Sequence, residues 1–292
     1  MEAIIQTRPA NPVDCGSLAV DRAPPGLGIL SWKGYTTLRH MLESLKADGF
    51  DELFDERVIF FPEIDSEARS IADEFGFRCE GAPANLGIYG GFKALAETLQ
   101  SDTVLLLEND IHLIEPFAEA RRQIEEAQRL VENETVQVVH LRNRADPGET
   151  FAGIAKYRRY HPPENASWSE RISAFCLRTM RPAKAQRLIT NAPYCEPHPE
   201  KKFSEIRLDE QSGFLLMDSQ YRGWTNQSFM INRRFFLDVI LRKVEETPSR
   251  RLINGFKNIE IEMNTNWWRN QPWTVAIAPG LFTHRRFGDR GY

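Results

Sequence analysis

Between residues 28 and 141, short apolar runs alternate with amphipathic stretches, and no other feature constrains the fold as much. Residues 28–32, 57–61, 77–80, 104–111 and 136–141 read as strands. Residues 35–47, 66–75, 87–100 and 116–133 have helical spacing; in the first of these Leu38, Met41, Leu42 and Leu45 share one face. Ser66 is the expected N-cap of the second helix and Gly76 its stop. Strands separated by helices at this pace imply βαβ units and a mainly parallel sheet.

Beyond residue 144 the pattern loosens. Residues 145–222 mix Pro, His, Glu and aromatic residues, with one helical stretch near 181–190. Residues 193–207, rich in proline and charge, read as a long surface loop, and such loops inside compact folds usually carry function. A helix at 232–246, an apolar-aromatic segment at 259–268 and a strand at 274–278 follow, and then a Pro279-Gly280 turn that leads to His284. No internal repeat is present.

The charge balance narrows the function. A formal net charge of −4 over 292 residues gives no basic footprint for nucleic acid. The four cysteines, Cys15, Cys79, Cys176 and Cys195, lack metal-knuckle spacing and suggest a reducing compartment. No apolar stretch approaches the roughly 18–20 residues needed to span a bilayer, and the N-terminus shows no signal-peptide pattern. A soluble, cytoplasmic protein is expected, with peripheral membrane association left open.

The run Val104-Leu105-Leu106-Leu107 ends in Glu108-Asn109-Asp110. A continuous apolar run reads as a strand covered on both faces. Ligands of open α/β sheets collect at the carboxyl ends of strands. Two acids delivered there suit a hard divalent cation and the phosphates it carries. The competing account is a polar strand end that caps the next helix.

On these residues the chain resembles GT-A fold glycosyltransferases, of the family 2 and N-acetylglucosaminyltransferase-like kinds. The likeness is carried by Leu30-Ser31-Trp32, by residues 60–65 (FFPEID) and by residues 85–91 (NLGIYGG). Leu107-Glu108-Asn109-Asp110 and residues 280–284 (GLFTH) complete it. It covers residues 28–111 well and 223–288 more loosely. It implies an α/β fold with a mostly parallel, Rossmann-type sheet flanked by helices. Residues 1–27 would be an irregular lead-in, 28–144 the nucleotide-sugar-binding half, and 145–292 the acceptor-binding half of the same domain.

The resemblance also implies a site. An acidic motif, often Asp-X-Asp, holds Mn²⁺ or Mg²⁺ under the nucleotide diphosphate; here Asp110 is the direct ligand and Glu108, in place of the first Asp, the secondary one. A late histidine, His284, would return to complete the metal set. Asn109 stands between the acids, and Ser31, Trp32 and Asp65 would hold the base and ribose. The glycine-bearing stretch from Asn85 and Gly87 to Gly91 could bring backbone N–H groups to a phosphate or sugar, but it is not a dinucleotide fingerprint. Arg285 and Arg286 could meet phosphate oxygens or simply hold the tail. Asp65 could equally be a helix-terminal charge, and Trp32 a core residue.

Sugar transfer with inversion needs a base for the acceptor hydroxyl. Glu260 and Glu262, in an apolar and aromatic setting, are the candidates, with Glu260 favoured. Trp224, Thr225 and Asn226 would suit stacking on a sugar ring, or ordinary packing. The expected activity is therefore metal-dependent transfer from a nucleotide-diphosphate sugar to a carbohydrate or other hydroxyl acceptor. The alternatives are a nucleotidyltransferase of related fold and a non-catalytic sugar- or nucleotide-binding module.

Overall fold

The structure, a computed structural model, describes residues 22–149, 151–249 and 251–288. Among these residues ten strands form one sheet. They are β1 (Gly26–Leu30), β2 (Glu56–Phe61), β3 (Arg78–Gly81), β4 (Thr103–Glu108), β5 (Ile111–Leu113), β6 (Val138–Arg142), β7 (Ile206–Leu208), β8 (Leu215–Asp218), β9 (Phe229–Asn232) and β10 (Thr274–His284). Their order is β3-β2-β1-β4-β9-β6-β10-β8-β7, with β5 beside the far end of β10. β5, β8 and β9 run against the other seven, so the sheet is mostly parallel in direction. The expected α/β class, a largely parallel Rossmann-type sheet flanked by helices, is the one the chain adopts.

The period-two alternation of side chains explains why the sheet is covered on both faces. Leu105 and Leu107 of β4 enter one apolar cluster with Ile59, Leu38 and Ile124, while Val104 and Leu106 enter a second with Val58, Phe92 and Phe236. Helices α1 (Tyr35–Lys46), α2 (Ser66–Phe75) and, later in the chain, the 16-residue Phe117–Glu132 cover the first face. The second face is covered by Gly87–Thr98 and by a helical run, Arg233–Phe235, Phe236–Leu241 and Arg242–Glu246, whose middle is π-type. Residues 104–107 are fully buried. Truncating a leucine there to alanine would destabilise the fold by about 2–5 kcal/mol.

Several boundaries differ from expectation. The run 104–111 is not one strand: the chain turns at Asn109 and Asp110 and restarts as β5, which pairs with β10. The cap of α2 is Asp65, whose carboxylate accepts the Ala68 N–H at 2.9 Å, and not Ser66. Pro279-Gly280 is no turn either; β10 continues through it with a register shift, and Gly280 sits at φ +99° where an added Cβ would run into the Arg142 carbonyl. Residues 145–222, where one helix was expected, hold helices Ala152–Tyr160, Trp168–Met180 and Pro182–Leu188. The expected loop at 193–207 contains the short helix Pro199–Lys202 and the start of β7.

The two halves of the chain interleave. β9, from the second half, sits between β4 and β6 of the first, and β10 pairs with β6. This arrangement carries the end of β10 to the turn that follows β4. Most of the lead-in proposed for residues 1–27 lies outside the described residues.

Candidate active site

A cleft opens over the carboxyl ends of β1 and β4. It consists of two adjoining pockets that share Leu30, Trp32 and Ile88. One is lined by Glu108, Asn109, Asp110 and Arg286, the other by Asn85, Gly87, Asn254, Phe256 and Lys257.

The floor of the first pocket follows from the parallel register. Leu30 stands opposite Glu108, so β1 and β4 end together. Asn109 bridges them: its side-chain amide donates to Lys33 O at 3.1 Å and to Ser31 Oγ at 3.3 Å, and its backbone N–H donates to Leu30 O. Ser31 is fully buried beneath this bridge. It supports the floor and presents no surface of its own to a ligand.

Asp110 is the centre of the charge network. Its Oδ2 accepts from His284 Nε2 at 2.9 Å and from Arg286 Nε at 2.8 Å. Its backbone carbonyl accepts the Arg285 N–H. Burial alone would push this carboxyl up, but the hydrogen bond and charge of His284, then those of Arg286, hold it below its usual value. Asp110 Oδ1 and His284 Nδ1 are buried and have no hydrogen-bond partner among the described residues.

Glu108 behaves in the opposite way. Burial, and after it the nearby charges of Asp110 and Glu260, push its carboxyl up to about 8. A buried carboxyl pushed up by desolvation and by a second acid beside it forms a seat that a cation would relieve. Among the described residues no group of three His, Cys, Asp or Glu side chains stands ready as a closed metal cage. Mg²⁺-type sites do not require one, since they use one or two carboxylates with water and substrate phosphates. The orphaned Asp110 Oδ1 and the buried Glu108 carboxyl are donors of the right chemistry for such a site. His284 is turned with Nε2 onto Asp110 Oδ2, which leaves Nδ1 without a partner among the described residues.

Arg286 is held in the cleft from beyond the sheet. The next residue, Phe287, accepts from Thr37 Oγ1 through its carbonyl and meets the His40 ring at a tilt and the His112 ring edge-on, which fastens the strand's continuation onto α1. Arg285 points elsewhere, to the Asp146 carboxylate at 2.9 Å.

The second pocket is framed by the start of the Gly87–Thr98 helix. Asn85 Oδ1 accepts the Gly87 N–H at 2.8 Å, which shapes the entry turn. Gly87 lies at φ +65°, and a Cβ there would sit 2.4 Å from the Phe256 side chain. Trp32 forms the wall between the pockets, with its indole N–H donated to Glu63 at 3.1 Å. Asp65 is engaged as the α2 cap and as acceptor of the Tyr35 hydroxyl at 2.8 Å, and it lines neither pocket.

Glu260 and Glu262 separate clearly. Both lie on the helix Ile259–Met263. Glu262 is buried and accepts from Ser249 Oγ. Glu260 accepts the Asn226 N–H at 2.9 Å, and its charge reaches Glu108. Asn264 grips both polar groups of the Trp224 backbone, so residues 224–226 are latched to this helix. Trp224 itself is buried among Phe229, Phe236 and Trp268, which makes it packing and not a sugar platform. Ile88 entered the sequence reading only as part of the 85–91 stretch, and Asn254 and Phe256 were not singled out; no local pattern marks those two.

No family model matches the chain, and no curated protein matches it. Among solved structures, S. aureus TarS is similar at a TM-score of 0.49 and 9% identity, over 89% of this chain and 36% of that one. Its fragment 1–349 in complex with UDP-GlcNAc gives 0.48 and 9%, over 91% and 60%. Glucosyl-3-phosphoglycerate synthase from Mycobacterium tuberculosis with Mn²⁺, UDP and glucosyl-3-phosphoglycerate gives 0.43 and 11%, over 90% and 73%. The chain thus spans about 60% or less of the TarS chains it matches. At such similarity these structures decide neither substrate nor reaction.

Proposed function

We propose that this chain is a GT-A-like glycosyltransferase that moves a sugar from a nucleotide-diphosphate sugar to a hydroxyl acceptor. The observation that carries the reading is the acid pair at the end of β4: Asp110, with a buried oxygen that has no partner among the described residues, beside Glu108, whose carboxyl is pushed up by burial and then by its acidic neighbours. The glycosyltransferase structures with UDP and Mn²⁺ are compatible in kind, but the argument rests on these residues.

In this reading Trp32, with the backbone around Asn85 and Gly87, receives the nucleoside. Aromatic faces suit a base because every base offers a π-surface. Mn²⁺ or Mg²⁺ would be held by Asp110, with Glu108 second, and would neutralise charge on the leaving diphosphate. His284 orients Asp110 through its hydrogen bond, in the way carboxylate partners fix a ligand. Arg286 supplies a guanidinium beside the diphosphate, whose oxygens match its fork. Lys257 lines the nucleoside pocket but is tied to the carbonyls of Val244, Glu245 and Thr247, so it serves as a strut.

Glu260 is the proposed base. The acceptor oxygen attacks the sugar's anomeric carbon as the bond from that carbon to the diphosphate oxygen breaks. The hydroxyl proton passes to the Glu260 carboxylate, and the nucleoside diphosphate departs with the electron pair. Attack opposite the leaving group inverts the anomeric centre. Glu262, committed to Ser249, takes no part. The acceptor would lie on the side shaped by residues 145–292, the half assigned to it. Incubation with a panel of nucleotide-sugars and Mn²⁺, with release of nucleoside diphosphate as the readout, tests the reading. A chain that instead consumed nucleoside triphosphates and released pyrophosphate would be a nucleotidyltransferase.

A further inference from the structure

The helix Trp168–Met180 is unusual in facing its apolar side outward. Trp168 is 79% exposed, Ile172 41%, Phe175 64% and Met180 76%. Trp168, Ile172 and Phe175 follow the i, i+4, i+7 spacing of one helical face. The helix's only buried residue is Ala174, on the side turned to the protein. The helix is a formed element, since Ser167 and Glu170 close a capping box at its start. Four large apolar side chains grouped on one short, ordered helix need an occupant, whereas single exposed ones do not.

The charge around the helix indicates which occupant. Residues 152–188 carry Lys156, Arg158, Arg159, Arg171, Arg178, Arg181, Lys184 and Arg187 against only Glu164 and Glu170, a balance of +6. The whole chain is −4, so everything outside this segment sums to −10. The helices of this segment pack on one another, so a strongly basic segment of an otherwise acidic protein carries exposed Trp, Phe, Ile and Met, a combination that matches the interface of an anionic bilayer. Aromatic and aliphatic side chains enter at headgroup depth while Lys and Arg meet lipid phosphates. Arg171 and Arg178 also donate to the carbonyls of Ala166 and Tyr160, which stiffens the base of the helix. Among the described residues no helix is long and apolar enough to cross a membrane, so contact would be at the surface.

We infer that the exposed apolar face of Trp168–Met180 and the basic residues of 152–188 form a docking surface for an anionic lipid bilayer. This inference stands independently of sugar transfer, because it uses no residue of the cleft. It is tested by flotation of the full chain with vesicles of phosphatidylcholine alone and of phosphatidylcholine mixed with phosphatidylglycerol. Binding to the mixed vesicles, weakened by salt, is expected. The double variant Trp168→Ser/Phe175→Ser should bind about tenfold less or worse, with its melting temperature unchanged because both side chains lie in solvent. Lys156→Gln and Arg159→Gln should each weaken binding roughly fivefold, which keeps the test valid if the double variant misfolds. No binding to anionic vesicles, or equal binding by the charge variants, overturns the inference. So does self-association that the double variant abolishes while vesicle binding is absent, since the face would then belong to a protein interface.

Discussion

His284 Nε2 lies 2.9 Å from Asp110 Oδ2, so residues 174 positions apart in the chain meet at one carboxylate. β10 makes this possible by pairing with both β6 and β5, with His284 in register with Ile111. The Asp110 carboxylate is thereby fixed from one side, while its second oxygen has no partner among the described residues. If His284 orients Asp110 and does not carry the cation, His284→Ala should raise the Mn²⁺ concentration needed for half-maximal activity about 10–100-fold. Activity should recover largely at saturating metal. A metal titration of initial rates checks this, and a loss that no metal concentration restores would make His284 a ligand.

Trp32 walls both pockets, so its removal should act on the donor and little on the chemical step. Trp32→Ala is expected to weaken nucleoside diphosphate binding by about 1–3 kcal/mol, the range for loss of base stacking. Isothermal titration measures it directly, and a fall in kcat with unchanged affinity would contradict the placement.

Gly87 combines a left-handed backbone with close approach to Phe256. Gly87→Ala should lower stability by roughly 1–3 kcal/mol and weaken donor binding as the Phe256 loop is pushed away. Urea unfolding followed beside donor titration separates the two effects. A variant with wild-type stability would show that the turn relaxes freely.

The architecture of residues 28–144 was legible because β1, β4 and β6 are buried along nearly their whole length and each helix buries one face, with the half-exposed edge strand β3 as the exception. Such elements write their periodicity into the sequence locally. Residues 145–222 were not legible for the converse reason. The helix Trp168–Met180 buries a single side chain, and its apolar stripe faces outward, so its pattern does not signal a core. β9 is four residues long and central only because β4 and β6 accept it on either side, a property of no local stretch. In the site, the acids announced themselves at a strand end, and the late histidine through its family likeness. The seat of Arg286 depends on Phe287 meeting Thr37 across 250 residues, and nothing near either residue signals it.

His140 offers a pH test of folding. It is buried and accepts from the Arg222 guanidinium at 2.7 Å. Burial, then the Arg222 charge, hold its pKa well below the ordinary 6.5. The folded state therefore refuses a proton that the unfolded chain accepts. This share of stability is fully present above pH 6.5 and is lost as pH falls below it, at up to about 1.4 kcal/mol per pH unit. His140→Gln, which keeps an acceptor for Arg222, should flatten that slope in denaturant melts taken from pH 7.5 down to 5. An unchanged slope would assign the acid sensitivity to other groups.

The most direct test of the central claim is calorimetric binding of a nucleoside diphosphate with and without Mn²⁺, to the wild type and to Asp110→Asn. The wild type should bind with Mn²⁺ and lose most of that affinity in chelator, while Asp110→Asn should show the weak, metal-independent level in both conditions. Equal binding with and without metal in the wild type, or full metal-dependent binding in Asp110→Asn, would contradict the assignment of this acid pair.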